Sequence, residues 1–189
     1  AIRHQLDGSG LRLESNGILD QSGCPIILHE ERYQQRWHGY ELTTDLDFDT
    51  NQDGVMDEND AHWNDGLGWM PITDDNYPFT AIFEGNGHII NNLYINRPDM
   101  SGVGLFRYID NASIRHLGLS GSLMSVRGDD YVGALVGYVE SNTVINAVYN
   151  TGPVQANDNV GGLVGVMYIS NSIIASYNTG SIQADDYNS

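Results

Sequence analysis

The sequence predicts an all-β fold wound into a stack of coils, a parallel β-helix of about four turns. Three observations carry this reading. Val, Ile, Leu and Tyr occur in short runs broken by Gly, Asn, Asp and Ser, and 22 glycines stand against 5 prolines. Helical spacing of apolar residues is not sustained anywhere in residues 79–189. Two blocks recur at one fixed offset, the signature of stacked structural units.

Composition removes several functions. The 189 residues include 25 acidic and 8 Lys or Arg side chains, all eight of them arginine, for a formal net charge of −17. A nucleic-acid partner held through phosphates needs a basic face. Docking on an anionic membrane needs clustered Lys and Arg. No stretch approaches the roughly 18 apolar residues of a membrane span, so no direct membrane insertion is expected. The opening Ala1-Ile2-Arg3 does not read as a signal peptide and looks like the inside of a longer polypeptide. An apolar fraction of 40% is enough for a core. The excess of carboxylates suits solubility in salty surroundings. Cys24 has no partner within the chain and is expected to be a buried thiol.

The repeat is explicit. Tyr131-Val132-Gly133-Ala134-Leu135-Val136-Gly137 recurs as Asn159-Val160-Gly161-Gly162-Leu163-Val164-Gly165, 28 residues on. Tyr149-Asn150-Thr151-Gly152-Pro153-Val154-Gln155-Ala156 recurs as Tyr177-Asn178-Thr179-Gly180-Ser181-Ile182-Gln183-Ala184 at the same offset. A looser copy starts at Val103-Gly104-Leu105-Phe106 and continues through Ile114, Leu117, Leu119 and Gly121. A still looser one runs from Phe79 through Phe83, Ile89 and Leu93 to Ile95. A propeller blade needs about 40–45 residues and four strands, so one β-helix coil fits better. Each coil pairs with its neighbour at roughly 4.8 Å. Ile145, Ala147 and Tyr149 match Ile173, Ala175 and Tyr177, while Asn146 and Val148 drift. Strand alternation then points the matched set inward. Asn150 and Asn178 fall one coil apart at a turn, placed either as simple turn residues or as an amide ladder.

Blocks of the form Val-Gly-x-Leu-Val-Gly, each followed by Tyr-Asn-Thr-Gly, resemble the GLUG repeat of large bacterial surface proteins. The lead-in is similar to the segment that precedes those repeats: Gly39-Tyr40-Glu41-Leu42-Thr43-Thr44-Asp45-Leu46-Asp47-Phe48, Gly68-Trp69-Met70-Pro71-Ile72, and Phe79-Thr80-Ala81-Ile82-Phe83-Glu84-Gly85-Asn86-Gly87-His88-Ile89-Ile90. The resemblance covers roughly residues 40–186. It implies a right-handed parallel β-helix in a secreted or surface-anchored bacterial protein, often adhesin-like. Ala134 departs from the glycine that the repeat prefers, and residues 1–38 match less clearly.

The sharpest chemistry lies in Asp49-Thr50-Asn51-Gln52-Asp53-Gly54-Val55-Met56-Asp57-Glu58-Asn59-Asp60. Counting Asp49 as the first position, oxygen side chains fall at alternate sites, glycine at the sixth, and Asp60 at the twelfth, the pattern of an EF-hand calcium loop. Calcium takes about six to eight oxygens from a compact loop. Asp49, Asn51, Asp53, the Val55 carbonyl, Asp57 and Asp60 are the expected ligands. Asp60 stands where glutamate is usual, which shortens that arm. Starting the count at Asp47 puts Gln52 at the glycine position, so Asp45 and Asp47 read as turn or strand-edge residues. Thr43 to Phe48 alternates like a strand, so the loop sits on a β scaffold without flanking helices. No Cys or paired His stands beside His62, which argues against zinc. Structural Ca²⁺ in a cap is expected.

Enzyme chemistry finds little support. Hydrolytic carboxylate pairs stand roughly 5–9 Å apart, and Asp129, Asp130, Asp158, Asp185 and Asp186 sit at turn-like positions. Arg97, Arg107, Arg115 and Arg127 read as solvated exterior residues. His29-Glu30-Glu31-Arg32-Tyr33 places Tyr33 where a zinc protease needs its second histidine. Trp37, Trp63 and Trp69, with Tyr33 and Tyr40, flank the acidic loop and either seal the core end or stack on sugars.

The reading is a cap over residues 1–70 and coils over 71–189. Together they form a non-catalytic module of a secreted or cell-surface bacterial protein with a stalk or adhesive role. The alternatives are a carbohydrate-active lyase or hydrolase, or a glycan-binding module. A surface glycan or protein is the expected ligand, and further coils are expected beyond residue 189.

Overall fold

A computed structural model describes the backbone of Arg3–Leu6 and residues 39–185. Cys24, the 29–33 segment, Trp37 and Asp186 lie outside the described residues. The architecture is the expected one, all-β with parallel pairing throughout its strand ladders. Apart from a short 3₁₀ turn at Asn64–Gly66, the described residues hold no helix.

The coils are visible in the pairing. One wall stacks Arg3–Leu6, Gly39–Leu42, Ile82–Glu84, Ser113–Ser120, Val144–Asn150 and Ser172–Ile174 in that order. A second stacks Tyr94–Asn96, Ser125–Arg127, Val154–Ala156 and Ile182–Ala184. A third stacks Phe106–Ile109, Val136–Ser141 and Val164–Ile169. Three complete windings result, residues 82–112, 113–143 and 144–171, with a part-winding at each end. Val132 and Gly133 pair with Val160 and Gly161, and Val154 with Ile182, at the offset read from the sequence.

Short strands become a closed coil because the chain turns sharply between walls. Left-handed residues sit at the corners and stack like the strands. Asn111, Asn142 and Ser170 have φ of 49, 46 and 59°. His116, Ala147 and Ala175 have φ of 53, 52 and 50°. Asn tolerates this region through its short polar side chain. At the other positions the neighbouring windings impose it.

These corners overturn the expected side-chain phase. Ile145 points inward as read, but the turn at Ala147 shifts the alternation by one residue. Val148 and Asn150 are therefore buried, and Tyr149 lies half-buried on the outside. The equivalent tyrosines still stack: the Tyr149 and Tyr177 rings lie 5.3 Å apart at 8°. The looser copies are in phase, with Val103, Leu105, Phe106, Ile114, Leu117 and Leu119 all buried, except that Ile90 rather than Ile89 enters the core.

The core is one apolar column from Tyr40 to Leu163. Glycines of the repeat keep its windings close. A Cβ at Gly133 would lie 2.5 Å from the Val136 carbonyl oxygen and 2.6 Å from that of Leu163. One polar column runs through the interior. Asn150 is fully buried, and its amide donates to the Gly152 carbonyl at 2.8 Å and to Asn178 Oδ1 at 2.7 Å. Its own Oδ1 accepts from the Gly152 N–H at 3.0 Å. The residue is both turn former and ladder rung. Asn150→Ala leaves several buried groups unpaired and should cost about 2–3 kcal/mol, read from the midpoint of denaturant unfolding.

Candidate metal centre

The acidic loop leaves the first wall at the short strand Leu46–Asp47 and returns through the 3₁₀ turn Asn64–Gly66. Aromatic anchors fix both ends. Phe48 and Trp69 are buried and meet edge-to-face at 5.3 Å, and His62 packs on both rings, at 5.3 and 5.4 Å. Burial lowers the His62 pKa, against the pull of nearby Asp60. Trp69 is buried in the core, its indole N–H donating to the Leu105 carbonyl at 3.3 Å, while half-buried Trp63 stacks on Tyr94 at 5.5 Å.

Within the loop the carboxylates organise the backbone. Asp49 and Asp60 are buried at its base. Asp49 Oδ1 accepts from the Asp53 N–H at 3.2 Å, and Oδ2 from the Gly54 N–H at 3.0 Å. Asp60 Oδ1 accepts from the Thr50 N–H at 2.7 Å, and Oδ2 from the Asp57 N–H at 3.0 Å. Asp53 accepts from the Val55 N–H and from the Asn51 amide, both at 2.9 Å. Asp57 accepts from the Asn59 N–H at 2.9 Å. Gly54 adopts φ +80° with open space around it, which is the sharp turn expected of it.

The six expected ligand residues therefore fall into two groups. Asp49, Asn51, Asp53 and Val55 share one set of hydrogen bonds, and Asp57 and Asp60 another. Among the described residues no three His, Cys, Asp or Glu side chains gather into a metal-holding cluster. None of these four aspartates is paired with a basic side chain among the described residues. The donor set is all oxygen, four carboxylates with the Asn51 amide and the Val55 carbonyl, the chemistry a hard divalent cation takes. Asp45 and Asp47 sit at the strand edge, and Asp47 Oδ1 also accepts from the Asp49 N–H at 3.0 Å. Asp45 accepts from the Ile89 N–H at 2.9 Å and meets His88 Nδ1 at 3.0 Å, and Asp47 accepts from Asn92 Nδ2 at 2.8 Å.

The chain is 37% identical over 123 residues to Halomucin of Haloquadratum walsbyi, a match covering 63% of this chain and 1% of that protein. It is 42% identical over 74 residues to a Gly-rich membrane protein of Evansella cellulosilytica, covering 38% of this chain and 9% of that one. The chain thus spans a small fraction of either relative. No family model and no solved structure matches it.

Other polar groups are locked into the wall. Buried Glu84 meets His116 Nδ1 at 2.8 Å and Arg115 Nε at 3.2 Å, and accepts from the Asn86 N–H at 3.0 Å. Arg107 pairs with Asp75 at 3.3 Å. Arg97 corrects the expectation of a solvated exterior. It is buried, and its guanidinium donates to the Trp69 and Gly68 carbonyls at 2.9 and 3.1 Å, joining the loop's return to the wall. Asp129 accepts from Asn157 at 2.8 Å and Asp130 from Asn159 at 2.8 Å, so each serves a corner.

Sequence reasoning missed one outer-surface feature, a stack of Tyr108, Tyr138 and Tyr168. Its signal was three tyrosines at a 30-residue interval, masked by the 28-residue offset of the clearer blocks.

The Ile89 N–H, with His88 beside it, holds the Asp45 carboxyl below its ordinary range. A carboxyl lowered by folding stabilises above its unfolded pKa, and that contribution disappears as pH falls through the depressed value. Between about pH 6 and about pH 3, Asp45→Asn should lose less melting temperature than the parent chain, measured by circular dichroism.

Proposed function

We propose that the chain is a non-catalytic structural stretch of a cell-surface protein, a rigid β-helical wall whose acidic loop is set by calcium. The stacked core carries this reading, because a continuous apolar column with in-register walls makes a stiff scaffold suited to a spacer. The names of the two relatives, one built on mucin and one a membrane protein, support a place at the cell surface. The resemblance of the Val-Gly-x-Leu-Val-Gly and Tyr-Asn-Thr-Gly blocks to GLUG repeats supports the same place, with an adhesive role toward a glycan or protein.

In the loop, Asp49, Asn51, Asp53, the Val55 carbonyl, Asp57 and Asp60 would hold calcium, which would supply positive charge where repulsion opposes compaction. Binding to the folded state alone raises stability with ligand concentration. The melting temperature should rise with calcium and fall with chelator at matched ionic strength, and Asp49→Ala together with Asp60→Ala should abolish the difference. Equal melting points in calcium and chelator would remove the metal from this function.

The net charge of −17 gives a separate expectation. Raising NaCl from about 0.1 M to about 1 M shortens the Debye length from roughly 10 to 3 Å. The melting temperature should climb by several degrees in NaCl alone, with calcium absent.

A further inference from the structure

In-register stacking has placed tyrosines on top of one another outside the core. Tyr108 and Tyr138 have ring centres 4.5 Å apart at 15°, and Tyr138 and Tyr168 have centres 4.8 Å apart at 32°. Tyr108 pairs with Tyr138 across the third wall, and Tyr138 with Val166, so the Tyr168 ring reaches back to Tyr138 from two residues further along its strand. Tyr108 and Tyr138 are partly exposed, and Tyr168 is exposed. The Tyr108 hydroxyl donates to Glu140 Oε2 at 2.6 Å.

Ring faces that cover each other are poor platforms for a sugar, which needs an open face. The arrangement suits a different chemistry. We propose that this ladder is a site of oxidative tyrosine coupling, in which Tyr138 becomes covalently joined to Tyr108 or Tyr168 and so staples adjacent windings. The oxidant required is a peroxidase-type one-electron oxidant with hydrogen peroxide as its source.

The steps balance. Each of two neighbouring phenols loses one electron to the oxidant and one proton. For Tyr108 the proton passes along the existing hydrogen bond to Glu140. The two phenoxyl radicals combine by forming one carbon–carbon bond between ring positions ortho to oxygen. The hydrogens on those carbons then return to the two oxygens as the rings regain aromaticity. In sum, two phenols lose two hydrogens, and one hydrogen peroxide is reduced to two waters.

Three features favour coupling within the chain. The partner ring is already in contact, so a radical meets it before it meets another molecule. A positioned carboxylate removes the Tyr108 proton as the electron leaves. Both tyrosines of each pair sit on separate strands of a rigid wall, so the bond closes a long loop of the unfolded chain, which raises stability.

The test treats the dilute 189-residue chain with horseradish peroxidase and hydrogen peroxide, then follows dityrosine fluorescence and the mass of digested peptides. Monomer that has lost two hydrogens should yield a linked peptide pair containing Tyr138, and its unfolding midpoint should move to higher denaturant. Tyr138→Phe keeps the ring and its packing and should remove that linked pair. Glu140→Gln keeps the shape and should slow formation of the Tyr108–Tyr138 link several-fold while sparing the Tyr138–Tyr168 link. Dityrosine found only between molecules, or only at other tyrosines such as Tyr149 and Tyr177, would overturn the proposal. So would a linked pair that survives Tyr138→Phe.

Discussion

Lateral register is the constraint on which the rest depends. Each winding is too thin to bury its own apolar face, so inner side chains depend on the equivalent residues above and below as well as on the facing walls, as where Phe83 meets Phe106. Ile114, Ile145 and Ile173 pair in one column, and Val126, Val154 and Ile182 in another. A slip of one residue in any winding would turn its inner set outward on both sides at once. The corners protect against that. Stacked left-handed residues at 111, 142 and 170, and at 116, 147 and 175, fix where each wall starts. Length changes are confined to the turns. Leu119 pairs with Asn150 and Val126 with Val154, so the three-residue difference between these windings lies wholly in the turn between the two walls.

The acidity of the chain belongs to the same logic. Many of its aspartates are structural acceptors rather than mere solvating charges. Asp49, Asp53, Asp57 and Asp60 hold the loop's N–H groups, Asp74 holds those of Asn76 and Tyr77, and Asp110 holds that of Ser141. A carboxylate is a strong acceptor for a backbone N–H at a tight turn. A coil with several corners per winding uses many such acceptors, and their negative charge accumulates along the axis. Local turn stability and global repulsion therefore rise together, which ties the whole wall to ionic strength.

How much of this was legible follows from what each signal measures. The offset between the two best blocks gave the stacking directly, because identical neighbours must occupy identical environments. The position of Gly54 and the alternation of Asp49, Asn51 and Asp53 gave the local turn of the loop, since both are backbone requirements. The phase beyond Ala147 was not legible. Strand alternation assumes extended backbone throughout, and alanine carries no mark of the left-handed turn that neighbouring windings impose on it. Arg97 was missed for a related reason. Arginine usually lies outside, and only the return of the chain over Gly68 and Trp69 supplies the carbonyls that bury its guanidinium. The division of the loop's side chains into two hydrogen-bonded groups, one around Asp49 and one around Asp60, is side-chain geometry that spacing does not encode.

The outer surface follows from the inner one. A wall that must stack in register to close its core also stacks whatever points away from the core. Asn150 over Asn178 inside, Tyr149 over Tyr177 outside, and Gln155 beside Gln183 are products of the same pairing. A substitution on the outside is therefore never read by one winding alone. It meets its equivalents one strand spacing away, where an aromatic ring gains a stacking partner and a carboxylate gains a repelling neighbour. The chain places many carboxylates at corners, where N–H groups of the same turn or of the next winding receive them, and sets amides and rings along the walls. That division lets a strongly acidic sequence form a continuous ladder, because the charges that repel one another lie where N–H donors already face them.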